Sequence, residues 1–241
     1  MMRREYEIPY IENLRGDEEQ VVIIAHGFGS SMQSPTAQMV LENLPKVGIG
    51  AIAFDFPAHG ASLVDGDTLS VANCIADLEK VEEYVRNKCP KAKISYFGSS
   101  FGAYITLLYL SQHPEKDGKA FLRSAAVNMH VIFENPTEAE AFAMAQQGHL
   151  IINYGTPLKL TQKFVEDLKE HDLFELYKPG ASNVMMIHGS EDETIDYEKA
   201  IDFAEKFDIT LITVEGGDHR LSSDGMPEAV VMTAMDFYLN D

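Results

Sequence analysis

Cysteine is scarce in this chain, and so are basic residues and long apolar runs. Its 241 residues hold only two cysteines, Cys74 and Cys89. If both lie on one helix, a rise of ~1.5 Å per residue sets them about 22 Å apart, too far to bridge. No short Cys or His spacing suggests a metal site, so packing residues in a reducing compartment are expected. Lys and Arg number 19 against 38 Asp and Glu, a formal charge of −19. Such a surface repels phosphate backbones and anionic membranes, which argues against nucleic-acid and membrane partners. No run approaches the ~18 apolar residues of a membrane span, and the opening Met1-Met2-Arg3-Arg4-Glu5-Tyr6-Glu7 does not read as a secretory leader. A soluble, cytoplasmic protein is expected. Repeats and low-complexity tracts are also missing.

What is present is material for a large core: 45% of residues are hydrophobic. The length suits one α/β domain over residues 1–241. Strand-like runs at 21–25, 49–54, 93–97, 120–126, 184–187 and 209–214 alternate with amphipathic segments, the pattern of a mostly parallel sheet flanked by helices. Across 70–88, Val71, Cys74, Ile75, Leu78, Val81 and Val85 recur at three- and four-residue spacing, with Asp77, Glu79, Lys80, Glu83 and Arg86 off that stripe. Further helices are predicted at 35–44, 101–112, 197–207 and 227–239, the first and last opened by proline. Residues 128–180 break the alternation. Helical patches at 137–147 and 161–168 occur there without a convincing strand, which predicts an inserted helical cap over the strand ends.

Chemistry concentrates where strands end. After the run 93–97 comes Gly98-Ser99-Ser100-Phe101-Gly102 and then a helical segment, the strand–turn–helix order that pushes a serine into a cleft. Register selects Ser100, because centring the motif on Ser99 would need glycine at Phe97. Upstream, His26-Gly27-Phe28-Gly29 closes another strand. Acyl transfer needs N–H donors for the oxyanion, and the backbone amides of Phe28 and Phe101 are assigned that part. His26 is expected to hold its loop by hydrogen bonds. Downstream, His188-Gly189-Ser190-Glu191-Asp192 brings acids to a strand end, and spacing alone does not choose among Glu191, Asp192, Glu193, Asp196 and Glu198. Glu215-Gly216-Gly217-Asp218-His219 then delivers a histidine after the next strand. His219 is the expected general base. Asp218, its neighbour, reads as a solvated loop carboxylate, and His113, His130, His149 and His171 as surface or packing residues, with His130 of interest because it opens the cap.

Taken together, these segments and Asp55-Phe56-Pro57-Ala58-His59-Gly60-Ala61-Ser62 resemble the α/β-hydrolase superfamily over nearly the whole chain except the cap. The last segment is similar to the family loop D-x-P-G-H-G-x-S, with Ala58 where glycine is usual. The element H-G-x-x-D resembles the family's acid loop, which implies that Asp192 orients His219. The start H-G-F-G and the short cap look similar to small bacterial carboxylesterases, including cinnamoyl and feruloyl esterases, and to the serine aminopeptidase and monoacylglycerol lipase-like branch. The resemblance implies a serine hydrolase acting on a small-molecule ester through an acyl-enzyme on Ser100, with no cofactor or metal. Met129, Phe133, Phe142, Met144, Tyr154 and Phe164 are candidate lining for an apolar or aromatic acyl group. Thioester or amide hydrolysis and acyl transfer would use the same three residues, and a non-catalytic receptor could share the scaffold.

Overall fold

The computed structural model describes residues 6–153 and 157–240. Alternation within the strands decides the layers. Along β2 (Gln20–Ala25), Val21 and Ile23 enter one buried cluster, and Val22 and Ile24 enter another on the opposite face. A strand buried on both faces needs helices on both sides. The first cluster takes α2 (Val71–Lys88), α3 (Phe101–Gln112) and α7 (Tyr197–Phe207); the second takes α1 (Pro35–Asn43) and α8 (Met226–Leu239).

Seven strands form the sheet in the order β1 (Tyr10–Asn13), β3 (Gly50–Phe54), β2, β4 (Lys93–Ser99), β5 (Lys119–Arg123), β8 (Asn183–Gly189) and β9 (Thr210–Val214). All neighbours are parallel except β1, which runs antiparallel to β3 with Tyr10 opposite Phe54. This is the mostly parallel, helix-flanked α/β architecture that the sequence predicts. Parallel strands share one carboxyl end, so the loops after β2, β4, β8 and β9 emerge on the same side.

Several expectations need correction. The strand expected over 120–126 stops at Arg123, because Ser124 takes a φ of 47° and turns the chain out of the ladder. Asp77, expected on the solvent face of α2, is buried and accepts a hydrogen bond from the Tyr6 hydroxyl at 2.8 Å. The segment expected to be purely helical contains an antiparallel hairpin, β6 (His149–Asn153) with β7 (Pro157–Thr161), between α4 (Glu138–Gln147) and α5 (Gln162–Glu170). A four-residue helix, α6 (Leu173–Leu176), leads back to β8. Cys74 lies in α2 and Cys89 just past its end, both buried and neither in a disulfide. Among the described residues, no helix is long and apolar enough to cross a membrane.

Candidate active site

A single residue separates the end of β4 from the start of α3. Ser100 sits there with φ 51° and ψ −109°, a conformation that L-residues avoid and that aims the side chain away from both flanking elements. Its glycines are demanded by space. A Cβ on Gly98 would stand 2.6 Å from Ala103 Cα, and one on Gly102 would stand 2.1 Å from the Ala25 carbonyl oxygen. Both distances are far inside van der Waals contact, so α3 approaches β4 and β2 this closely only because neither position carries a side chain.

His219 follows β9 in the glycine-containing loop. Its Nε2 lies 3.0 Å from Ser100 Oγ and its Nδ1 lies 2.8 Å from Asp192 Oδ2. The Asp192 side chain is completely buried. Burial alone would raise its pKa, but hydrogen bonds from His188, His219 and the Ile195 amide hold it well below the usual carboxylate range. An ionised carboxylate only accepts, so Nδ1 carries the proton and donates to it, and the Nε2 lone pair accepts from the Ser100 hydroxyl. The structure thus brings Ser100, His219 and Asp192 into one hydrogen-bonded line.

The acid's neighbours do other work. Asp196 caps α7 by accepting from the Glu198 amide, Glu193 Oε2 lies 3.4 Å from the His219 amide, and Asp218 accepts from the Ser222 amide and hydroxyl. His130 and His171 stand beside Glu134 and Asp167.

The loop after β2 packs directly on the serine turn: a Cβ on Gly27 would meet Ser100 Cβ at 3.4 Å. His26 holds this loop as expected. Its Nε2 accepts from the Phe56 amide at 3.2 Å, so Nδ1–H donates to the Gly27 carbonyl at 2.8 Å, and burial lowers its pKa to about 4. Phe101 opens α3, so its N–H is one of the amides a helix leaves without an internal acceptor, at the positive end of the helix dipole beside Ser100. The Phe101 ring is fully buried among Phe28, Phe56, Tyr104 and Phe164.

Residues 128–180 reach the site through aromatic contacts. Phe133 and Phe164 pack on the Phe28 ring at centroid distances of 5.5 and 5.8 Å. Behind Phe133 lies a cavity of about 400 Å³, walled by Met144, Leu150, Ile152, Leu160 and Val165, with Glu140, Glu166 and Lys169 also on its lining. Of the candidate lining residues, Phe133 and Met144 face this cavity. Met129 and Phe164 are buried in the core, Phe142 is 68% exposed, and Tyr154 lies outside the described residues.

Three contributors went unrecognised in the sequence. His188 is fully buried and its Nε2–H donates to Asp192 Oδ2 at 2.8 Å. His59 is buried against Phe28 and Phe101, and Arg123 contacts the His219 loop. The H-G of the acid loop and the H-G of the 55–62 segment were visible signals for the two histidines. For Arg123 there was no such signal.

An α/β sheet bearing a serine, an imidazole and a buried carboxylate at its strand ends is the arrangement of an α/β-hydrolase. Residues 16–178 match the family described as serine aminopeptidase, S33, and the chain belongs to that family. Among curated proteins it is similar to the mouse palmitoyl-protein thioesterase ABHD10, mitochondrial, at 23% identity over 235 residues, 93% of this chain and 77% of that protein. The structure of mouse alpha/beta hydrolase domain-containing protein 10 superposes with a TM-score of 0.81 at 20% identity, covering 98% of this chain and 96% of that one. Est1E of Butyrivibrio proteoclasticus with ferulic acid bound superposes with a TM-score of 0.78 at 19% identity, covering 98% and 96%.

Proposed function

We propose that the protein hydrolyses carboxylic esters of apolar or aromatic acyl groups by a two-step mechanism. The observation that carries this reading is the line from Ser100 Oγ through His219 to Asp192, at 3.0 and 2.8 Å. Ser100 Oγ attacks the acyl carbonyl while His219 Nε2 takes its proton. The tetrahedral oxyanion is received by the amides of Phe28 and Phe101. Collapse breaks the ester bond, His219 returns the proton to the departing alcohol, and the acyl group stays on Ser100. Water, deprotonated by His219, then releases the acid. Asp192 keeps the proton on Nδ1 and stabilises the imidazolium in both steps.

In this reading residues 128–180 act as a cap, and the apolar cavity behind Phe133 takes the far end of the acyl group. A second reading, thioester hydrolysis, is favoured by the name of the mouse relative and uses the same steps with a thiol as leaving group. Two buried cysteines outside any disulfide suit a reducing compartment such as the cytoplasm. The test is a screen of p-nitrophenyl esters of increasing chain length, hydroxycinnamate esters and acyl thioesters. Turnover of at least one class by the wild type, abolished in Ser100→Ala, is expected; equal turnover by both proteins would overturn the reading.

A further inference from the structure

β5 ends at Arg123, and this single residue contacts both segments that carry the reacting side chains. Its carbonyl accepts the Ser100 N–H at 2.9 Å, and its Nε–H donates to Ser99 Oγ at 3.1 Å. At the far end of the side chain, one guanidinium nitrogen donates to the carbonyls of His219 and Arg220 at 3.2 and 2.7 Å. The serine turn and the histidine loop, more than a hundred positions apart in the chain, are thus joined through one side chain.

Arg123 is only 8% exposed, and these donors go to a hydroxyl and two backbone carbonyls rather than to a carboxylate. Burial lowers its pKa to about 10, which leaves it cationic at neutral pH, with the charges of Asp192 and Asp218 acting on it from further away. Burying a cation is costly, and an apolar side chain of similar volume is often at least as stable. Filling the space therefore does not require arginine. Fixing two carbonyls of a loop does, because that loop contains Gly216 at φ 68° and Leu221 at φ 47° and has few side chains of its own to pack.

Building on the proposed hydrolysis, we infer that Arg123 is a positioning residue: a clamp that holds the His219 loop against the serine turn and keeps Nε2 at bonding distance from Ser100 Oγ. It touches no substrate, so its loss should lower kcat and leave KM in place.

The experiment compares the wild type with Arg123→Met, which keeps the length without donors, and Arg123→Lys, which keeps the charge but cannot reach Ser99 Oγ and the loop carbonyls together. Competent sites are counted with a fluorophosphonate, kcat per titrated site and KM are measured with p-nitrophenyl butyrate, and hydrogen exchange is followed by mass spectrometry. In Arg123→Met, kcat per titrated site should fall about 10- to 100-fold with KM within about twofold, and exchange should quicken in residues 215–223 alone. Arg123→Lys should fall between. An unchanged kcat per titrated site, whatever happens to Tm, overturns the clamp and leaves Arg123 a packing residue. If Arg123→Met does not fold, Arg123→Lys decides on the same two readouts. If the wild type takes no label, the nucleophile assignment fails separately, and unchanged exchange at 215–223 in the variants would overturn the clamp by itself.

Discussion

Asp192 accepts from four donors. Oδ2 receives the ring N–H groups of His219 and His188, each at 2.8 Å, and Oδ1 receives the amides of Thr194 and Ile195, each at 2.8 Å. An amide in its place would turn one acceptor into a donor facing N–H groups. Asp192→Asn is therefore expected to lower kcat on the order of 10³- to 10⁴-fold with little change in KM, whereas Asp218→Asn leaves kcat unchanged. Steady-state kinetics on the best ester of the screen checks both. Ala58, in the place where relatives usually have glycine, has a φ of 64°. Ala58→Gly should relieve that strain and raise stability by roughly 0.5–1 kcal/mol in urea unfolding, with activity unaltered. Ser100, His219 and Ala58 were legible because a motif or a strand-end position singles each of them out. Asp192 needed a family pattern, since five acids share its stretch of chain. Arg123 was invisible: no motif marks it, the predicted strand ran past it to 126, and only the fold reveals that it ends the strand beside the His219 loop.

At the scale of elements, the contact between α3 and β2 depends on Gly102. Gly102→Ala forces the helix start away from the Ala25 carbonyl, and a loss of about 2 kcal/mol or more is expected, together with slower fluorophosphonate labelling because Ser100 moves with the helix. The inserted hairpin sets the other side of the site. Met144→Phe should narrow the cavity behind Phe133 and raise KM for long-chain esters while leaving acetate esters unaffected; an equal effect on both would separate the cavity from the acyl group. The bounds of α3 and α7 were readable to the residue. The hairpin was not, because Leu150, Ile151 and Ile152 are consecutive apolar residues and Ile151 is 63% exposed, so the two-residue alternation of a half-buried strand is hidden. β1 was missed for a related reason: four residues at a sheet edge carry too little pattern.

For the whole molecule, acid stability follows from two imidazoles kept neutral inside it. Burial lowers the pKa of His26 to about 4 and that of His59 to about 3, against roughly 6.5 in an unfolded chain. The unfolded state therefore binds more protons below pH ~6.5. Stability is complete above that pH and is lost as pH falls from ~6.5 towards the folded values of about 4 for His26 and about 3 for His59, with a slope approaching ~1.4 kcal/mol per pH unit for each histidine inside that window. Asp55, whose carboxyl burial pushes up, offsets part of this at the acid end. Urea titrations at pH 7 and 5 should show the loss, and His59→Gln should reduce the slope; equal stability at both pH values would contradict it. The central claim, that three distant segments form one acylating centre, is tested most directly by mass spectrometry of the fluorophosphonate-treated protein. One adduct per chain, mapped to Ser100 and formed at least about 100-fold more slowly in His219→Ala, is the predicted result. An adduct on another residue, or labelling of Ser100 that is indifferent to His219, would contradict it.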